Sequence, residues 1–406
     1  MANPYFLMAL LYLVAAVLAA LDSSLVGFQL APWFNGLRWL RVHLITLGML
    51  TEVAFGVLPL LAAARLKVAR PRMRWDVWLT LNAGLLVLLA GIPLINQGLI
   101  FVGGTLIFVA TLLLMGQLWQ MQRQSAQQAG EGRKFYLMGL AYFLLGILVG
   151  TGLWLGWMAP LGIKVPIEVH IHANNWGFLS LVFAGLLIDL MPALTGRPLL
   201  SSRSIRLVYW MMTVGALGLV IGPWLGGVLW AVVPGLVLHL SATIWLVTAT
   251  ARTLLASPRR RDAGAWHLIG AYIWILAPVL VAPLILLGVP GVPGAGIDAT
   301  APQALIYGWV LQFAYALIPY FVRRYFLHED GARLGGSWIS VLAIHVGSAF
   351  IWASIFIVPN RELLSGVGYA FYVVSFLPVL VEMVRLFHSG LRRLETQILD
   401  SSAEAA

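Results

Sequence analysis

Twelve separate apolar runs of about 18–25 residues divide this chain, and no other property limits its fold as strongly. A run of that length crosses the roughly 30 Å hydrocarbon layer as a helix. Inside lipid the backbone has no water to bond, so each segment must satisfy its own N–H and C=O groups. The runs lie near 5–22, 40–64, 76–95, 99–121, 135–159, 168–192, 205–223, 225–252, 265–288, 303–322, 337–357 and 366–387. The first has no basic segment before it and no clean cleavage site, so it reads as a retained helix and not a signal peptide. The expected fold is an all-α, polytopic membrane bundle of about twelve helices.

Charge supports that count. Only 10% of residues are charged and 61% are hydrophobic, which excludes a soluble globule or a disordered chain. The net charge of +10 does not point to nucleic acid, because the basic residues sit in short loops between apolar runs. Of the 25 Lys and Arg, 21 fall on one side of the alternating spans, including Arg65, Lys67, Arg123, Lys134, Arg203, Arg259, Arg323 and Arg392. The other side has Arg38, Arg41, Lys164 and Arg361. By the positive-inside rule both termini are expected in the cytoplasm, in a multi-pass protein of a prokaryotic-type inner membrane. Residues 1–400 are expected as a single transmembrane domain, with 1–200 carrying the candidate ligands, 201–390 the second six helices, and 391–406 a cytoplasmic tail. The Pro/Gly-rich stretch 289–302 is expected to be an outer turn. With no cysteine in the chain, disulfides, thiolate metal sites and thiol catalysis are excluded.

Six of the eight histidines fall within the spans, where an ionisable side chain is a candidate functional residue. His43 is at the outer end of span 2, and His170 and His172 are at the outer end of span 6. His239 is in the middle of span 8, His267 near the inner end of span 9, and His345 in the inner half of span 11. Two residues along a helix turn by about 200°, so the His170 and His172 rings point in nearly opposite directions. They cannot share one metal ion. Either each serves a different cofactor, or one is a ligand and the other bonds to a neighbouring helix. His43 is followed by Gly48 and Gly56, and His172 by Gly177 and Gly185, at the same +5 and +13 spacing. Small residues so placed let a neighbouring helix or a flat ligand approach closely. His267 and Trp274, then His345 and Trp352, form a fainter echo at +7.

The stretch HIHANNWGFLSLVFAGLLIDLMPALTGRP from His170 resembles the tenth helix of heme-copper oxidase subunit I, especially of cbb3-type oxidases and nitric oxide reductases. The matching positions are His170, His172, Gly177, Phe178, Gly185, Pro192, Gly196 and Arg197. The segment LRWLRVHLITLGMLTEVAFG around His43 resembles the second helix of that family. Together they cover roughly 60 residues. The resemblance implies heme b ligated by His43 and His172, and a second heme or metal at His170. The motif lies on span 6 instead of span 10, whose sequence has no His. A His–Tyr cross-link spacing and a His-His pair for copper are both missing, so no copper is expected. In length and topology the chain is similar to the NnrS-like family of membrane proteins linked to nitric oxide metabolism.

Other polar groups fit around such a centre. Arg38 and Arg41 lie at the depth where heme propionates would emerge, with lipid headgroup contact as the alternative. Asn174 and Asn175 are candidates for bonding a ring nitrogen or a propionate, with simple helix–helix bonding as the alternative. Glu52, about 13 Å deeper than His43, is a candidate for a proton path or for a bond within the bundle. His239 is a candidate metal ligand or a hydrogen-bonded core residue. Asp189 is expected only to meet the inner interface. The implied activity is electron transfer or nitric oxide/oxygen handling, with an oxidoreductase as one form, and quinol or another redox subunit as partner. The alternatives are a cofactor-free twelve-helix transporter and a structural subunit of a respiratory complex. The transporter would carry broken helices near the midplane; Pro160, Pro223, Pro234, Pro278 and Pro283 are scattered and unpaired.

Overall fold

The computed structural model describes residues 3–26, 37–125 and 131–405, and within them all regular structure is helical. Twelve long helices follow the expected order: α1 (Pro4–Ser24), α2 (Trp39–Leu66), α3 (Trp75–Gly91), α4 (Gln97–Gln124), α5 (Glu131–Leu155), α6 (Pro166–Thr195), α7 (Ser202–Trp224), α8 (Leu229–Leu255), α9 (Ala263–Ile285), α10 (Gly294–Phe326), α11 (Trp338–Phe356) and α12 (Val358–Arg393). Eleven are long and apolar enough to span a membrane; α3 has the same character over a shorter length. Asn96 caps α4 by accepting from the Leu99 N–H, and this sets the α3–α4 turn.

One expectation is overturned. Residues 294–302, read as turn, form the first turns of α10. Pro302 lies inside that helix, and a π turn at Ile306–Val310 follows it. The segment is rich in Ala as well as Gly, and a π turn absorbs the local misfit that a helical proline creates. The turn is confined to the residues before Gly294. Beyond its span, α12 also continues as helix to Ala405, so the tail expected at 391–406 begins as an extension of α12.

The chain divides into two compact units, residues 1–54 with 260–406, and residues 55–259. Three helices are far more enclosed than the others. The most apolar windows of α2 and α6 are 89% buried and that of α10 is 100%, against 39–50% in the other eight candidate spans. Each of the three contains a π turn, at Leu44–Met49, Ala173–Leu179 and Ile306–Val310. Each π turn carries a glycine against an aromatic ring from an earlier helix. Gly48 meets Tyr12 of α1, Gly177 meets Tyr142 of α5, and Gly308 meets Trp274 of α9. A Cβ on Gly48 would lie 2.7 Å from Tyr12 Cγ, and one on Gly308 2.5 Å from Trp274 Cγ. The spacing noticed at His43 and His172 thus marks a joint: a glycine notch filled by a ring. Where the joint recurs on α10, the residue five before the glycine is Gln303 instead of His.

Candidate functional site

In the unit of residues 55–259, α6 begins after Val165 with Pro166 in its first turn, where the missing N–H costs nothing. It places His170 and His172 immediately before the π turn. The two rings part as a two-residue step requires. His170 turns to α5, where its Nδ1 lies 2.9 Å from the Gly146 carbonyl, and it packs over Gly150. His172 turns to α7, its Nδ1 2.6 Å from the Leu219 carbonyl. A carbonyl only accepts, so both Nδ1 atoms carry a hydrogen, and in the neutral imidazole the lone pair is on Nε2. Asn174 Nδ2 lies 3.4 Å from His170 Nδ1, but its bond goes to the His170 carbonyl at 2.8 Å. Asn175 is buried, and its own carbonyl accepts the closing π bond from Ser180 N–H. Glu168, a partly exposed side chain one turn before His172, brings a carboxylate oxygen to 3.5 Å from Nε2.

His239 on α8 is buried with both ring nitrogens engaged. Nε2 lies 3.0 Å from the Trp176 carbonyl, and Nδ1 3.3 Å from Thr243 Oγ1. The carbonyl again fixes the tautomer, with Nε2–H donating and Nδ1 accepting from the hydroxyl. Asp189 does not simply meet the interface as expected. It is buried, accepts from Tyr136 OH at 2.8 Å, lies 3.8 Å from Arg65 Nε, and sits against Gly132 in the first turn of α5. A carboxylate at a helix N-terminus complements its dipole.

In the unit of residues 1–54 with 260–406, His43 repeats the same orientation. Its Nδ1 lies 2.8 Å from the Trp39 carbonyl, so the lone pair is again on Nε2. The Trp39 ring stacks on the imidazole, with centroids 4.2 Å apart and planes 14° from parallel. The Arg41 guanidinium lies 4.7 Å over the Tyr369 ring, and one of its terminal nitrogens donates to Ser23 Oγ. Among the described residues no acceptor meets Arg41 Nε. The Arg38 side chain lies outside the described residues. Glu52 is fully buried.

The remaining two histidines are held by side chains. His267 Nδ1 is 3.2 Å from Gln312 Oε1 and Nε2 is 3.1 Å from Ser340 Oγ. His345 Nδ1 accepts from Trp274 Nε1–H at 2.9 Å. The Trp274–His345 pair joins a residue from each half of the faint +7 echo, a cross-link that two matching spacings do not reveal. The third glycine joint carries no histidine signal in the sequence, because Gln303 stands in that place. That residue is buried and its Oε1 accepts from Tyr369 OH at 3.1 Å.

Among the described residues no three His, Asp or Glu side chains gather as a metal-ion site. Ligating histidines generally donate the non-ligating nitrogen to a carbonyl or carboxylate, which fixes ring and tautomer. His43, His170 and His172 meet that condition; His239 meets it through Nε2–H but has Thr243 Oγ1 at its other nitrogen, and His267 and His345 bond side chains only.

No family model matches the chain, and no curated protein matches it. Its fold is similar to that of a chain in a cryo-EM structure of a heme-copper terminal oxidase dimer. The TM-score is 0.57 and the identity 13%, over 95% of this chain and 84% of that one. At that identity what is shared is the fold: this chain is a polytopic helical membrane protein with the architecture of a heme-copper terminal oxidase chain.

Proposed function

We propose that this chain is a heme-binding membrane protein that carries electrons or handles a small gas such as nitric oxide or oxygen. The observation that supports this best is the shared orientation of His43, His170 and His172, each with Nδ1–H given to a backbone carbonyl and its lone pair on Nε2. His43 and His172 are the ligands of heme b; their pairing on one iron rests on the resemblance of their two segments to the family's second and tenth helices. His170, turned to α5, is the ligand of a second heme or metal. Arg41, with Nε left to donate, is placed to meet a propionate. A heme with two imidazole ligands supplies a one-electron carrier and leaves no position for a gas, so gas chemistry is assigned to His170. The electron donor is quinol or another redox subunit, and the setting is a prokaryotic-type inner membrane. The NnrS-like and cbb3-type likenesses favour nitric oxide or oxygen over other gases.

Oxidised and dithionite-reduced spectra of the detergent-purified protein, with a pyridine hemochrome assay, test this reading. The expected result is a sharp reduced α-band that His43→Ala and His172→Ala each abolish. A carbon monoxide difference spectrum lost in His170→Ala would place the open site there. Heme-replete expression with no Soret band would overturn the proposal.

A further inference from the structure

A π turn leaves one carbonyl without a partner in its own helix. On α6, Ser180 N–H reaches back to the Asn175 carbonyl, and regular α-helix resumes from Ser180. The next amide, that of Leu181, therefore returns to the Gly177 carbonyl, and the Trp176 carbonyl is passed over. A buried carbonyl without a donor is costly, so a donor from outside the helix must meet it. The donor is His239 Nε2–H, from α8, at 3.0 Å. Thr243, one turn further along α8, gives its hydroxyl to Nδ1 and holds the ring in the donating tautomer. The Trp176 and His239 rings also meet edge to face, 5.3 Å apart.

The same π turn is gripped from two further directions. Tyr142 of α5 fills the notch at Gly177 and gives its hydroxyl to the Thr213 carbonyl of α7 at 2.8 Å. His172 gives Nδ1–H to the Leu219 carbonyl, also on α7. Helices α7 and α8 close the ring against each other, with Gly215 pressed on the His239 backbone and Gly218 on Gly235. Helices α6, α7 and α8 are thus linked in a cycle: His172 to Leu219, Gly215 to His239, and His239 to Trp176.

We infer that His239 is a positioning residue that clamps the π turn of α6 through the Trp176 carbonyl and so fixes the direction of the His172 ring. It ligates no metal, because both of its nitrogens are spent on the clamp. What it positions is the ligand named above, so this inference rests on the heme reading for its purpose but not for its structure.

The test uses the full-length protein in detergent, with His239→Phe, His239→Gln and Thr243→Val. Hydrogen exchange of the peptide spanning 173–181 reads the clamp whether or not heme is bound. His239→Phe removes the donor, and exchange there is expected to rise about tenfold, the effect of losing one buried hydrogen bond. His239→Gln, which keeps an N–H at similar reach, is expected to restore most of the protection, and Thr243→Val to give a smaller increase. If heme is present, the low-field g value of the oxidised protein should shift in His239→Phe and return toward the parent value in His239→Gln. Unchanged exchange in His239→Phe overturns the clamp. Changed exchange in a protein without a Soret band keeps the clamp and overturns the heme reading. Should His239→Phe fail to fold, Thr243→Val and His239→Gln decide: equal exchange in both and in the parent overturns the proposal.

Discussion

The joints on α6 and α10 are built alike and end differently. Each has a π turn, a glycine in that turn, and an aromatic ring from an earlier helix seated on the glycine: Tyr142 on Gly177, and Trp274 on Gly308. Five residues before the glycine, α6 carries His172 and α10 carries Gln303. The imidazole gives its Nδ1 hydrogen to a backbone carbonyl and turns Nε2 to within 3.5 Å of the Glu168 carboxylate. The amide oxygen of Gln303 is instead occupied by the Tyr369 hydroxyl. The scaffold repeats while the chemistry is set by a single side chain. A helix notch that admits a ring is thus a packing device first, and under the proposed heme reading it serves a ligand only where an imidazole with a backbone acceptor stands at its mouth.

Filling the notches should have the largest effect. Gly177→Leu and Gly308→Leu force new atoms into Tyr142 and Trp274, and each is expected to cost about 3 kcal/mol or more. Thermal unfolding in detergent, followed by tryptophan fluorescence, reads the loss. If either variant melts with the parent protein, that joint is not tightly packed and the likeness between the two regions fails. Next comes the contrast in chemistry. His172→Ala is expected to remove the b-type absorption, whereas Gln303→Ala should leave it intact; loss of the spectrum in both would mean that the two positions do not differ in role. A smaller effect is expected on stability in Gln303→Ala, about 1–2 kcal/mol, because Tyr369 OH is left buried without its acceptor. Removing the donor as well, by working in Tyr369→Phe, should make the same substitution nearly neutral, as a double-mutant cycle would show. The smallest is Trp274→Phe, which keeps the ring over Gly308 but removes the donor to His345, at about 1 kcal/mol and with no spectral change. A spectral change there would bring His345 into the cofactor's surroundings.

Much of the architecture was legible because hydropathy and charge alternate with the bilayer itself as the ruler. All twelve apolar runs became long helices. The exceptions are instructive. The first turns of α10 were hidden in a Pro/Gly-rich stretch, since a propensity argument made for water penalises Pro302 more than a buried helix with an adjoining π turn does. Asp189 looked like an interfacial residue, because nothing in the linear chain shows that Tyr136 and Gly132 fold over it. Of the site, the divergence of His170 and His172 followed from helix geometry alone. Their acceptors did not, because Gly146 and Leu219 contribute backbone carbonyls, and a carbonyl leaves no trace in residue type. For the same reason His239 gave no sign of its partner: the acceptor on Trp176 exists only because the helix widens there.

The partners of α6 arrive in chain order, and that order has a consequence for how the protein is made. His170 finds its carbonyl on α5, a helix already synthesised when α6 enters the membrane. His172 must await α7 for Leu219, and the π turn is sealed only when α8 delivers His239. The two neighbouring rings are therefore set at different moments of biogenesis, the α5-facing one first and the α7-facing one after another forty-odd residues have emerged. Between those moments α6 holds one oriented imidazole and one not yet held by α7, a natural interval for loading the cofactor proposed above before α8 closes the cycle.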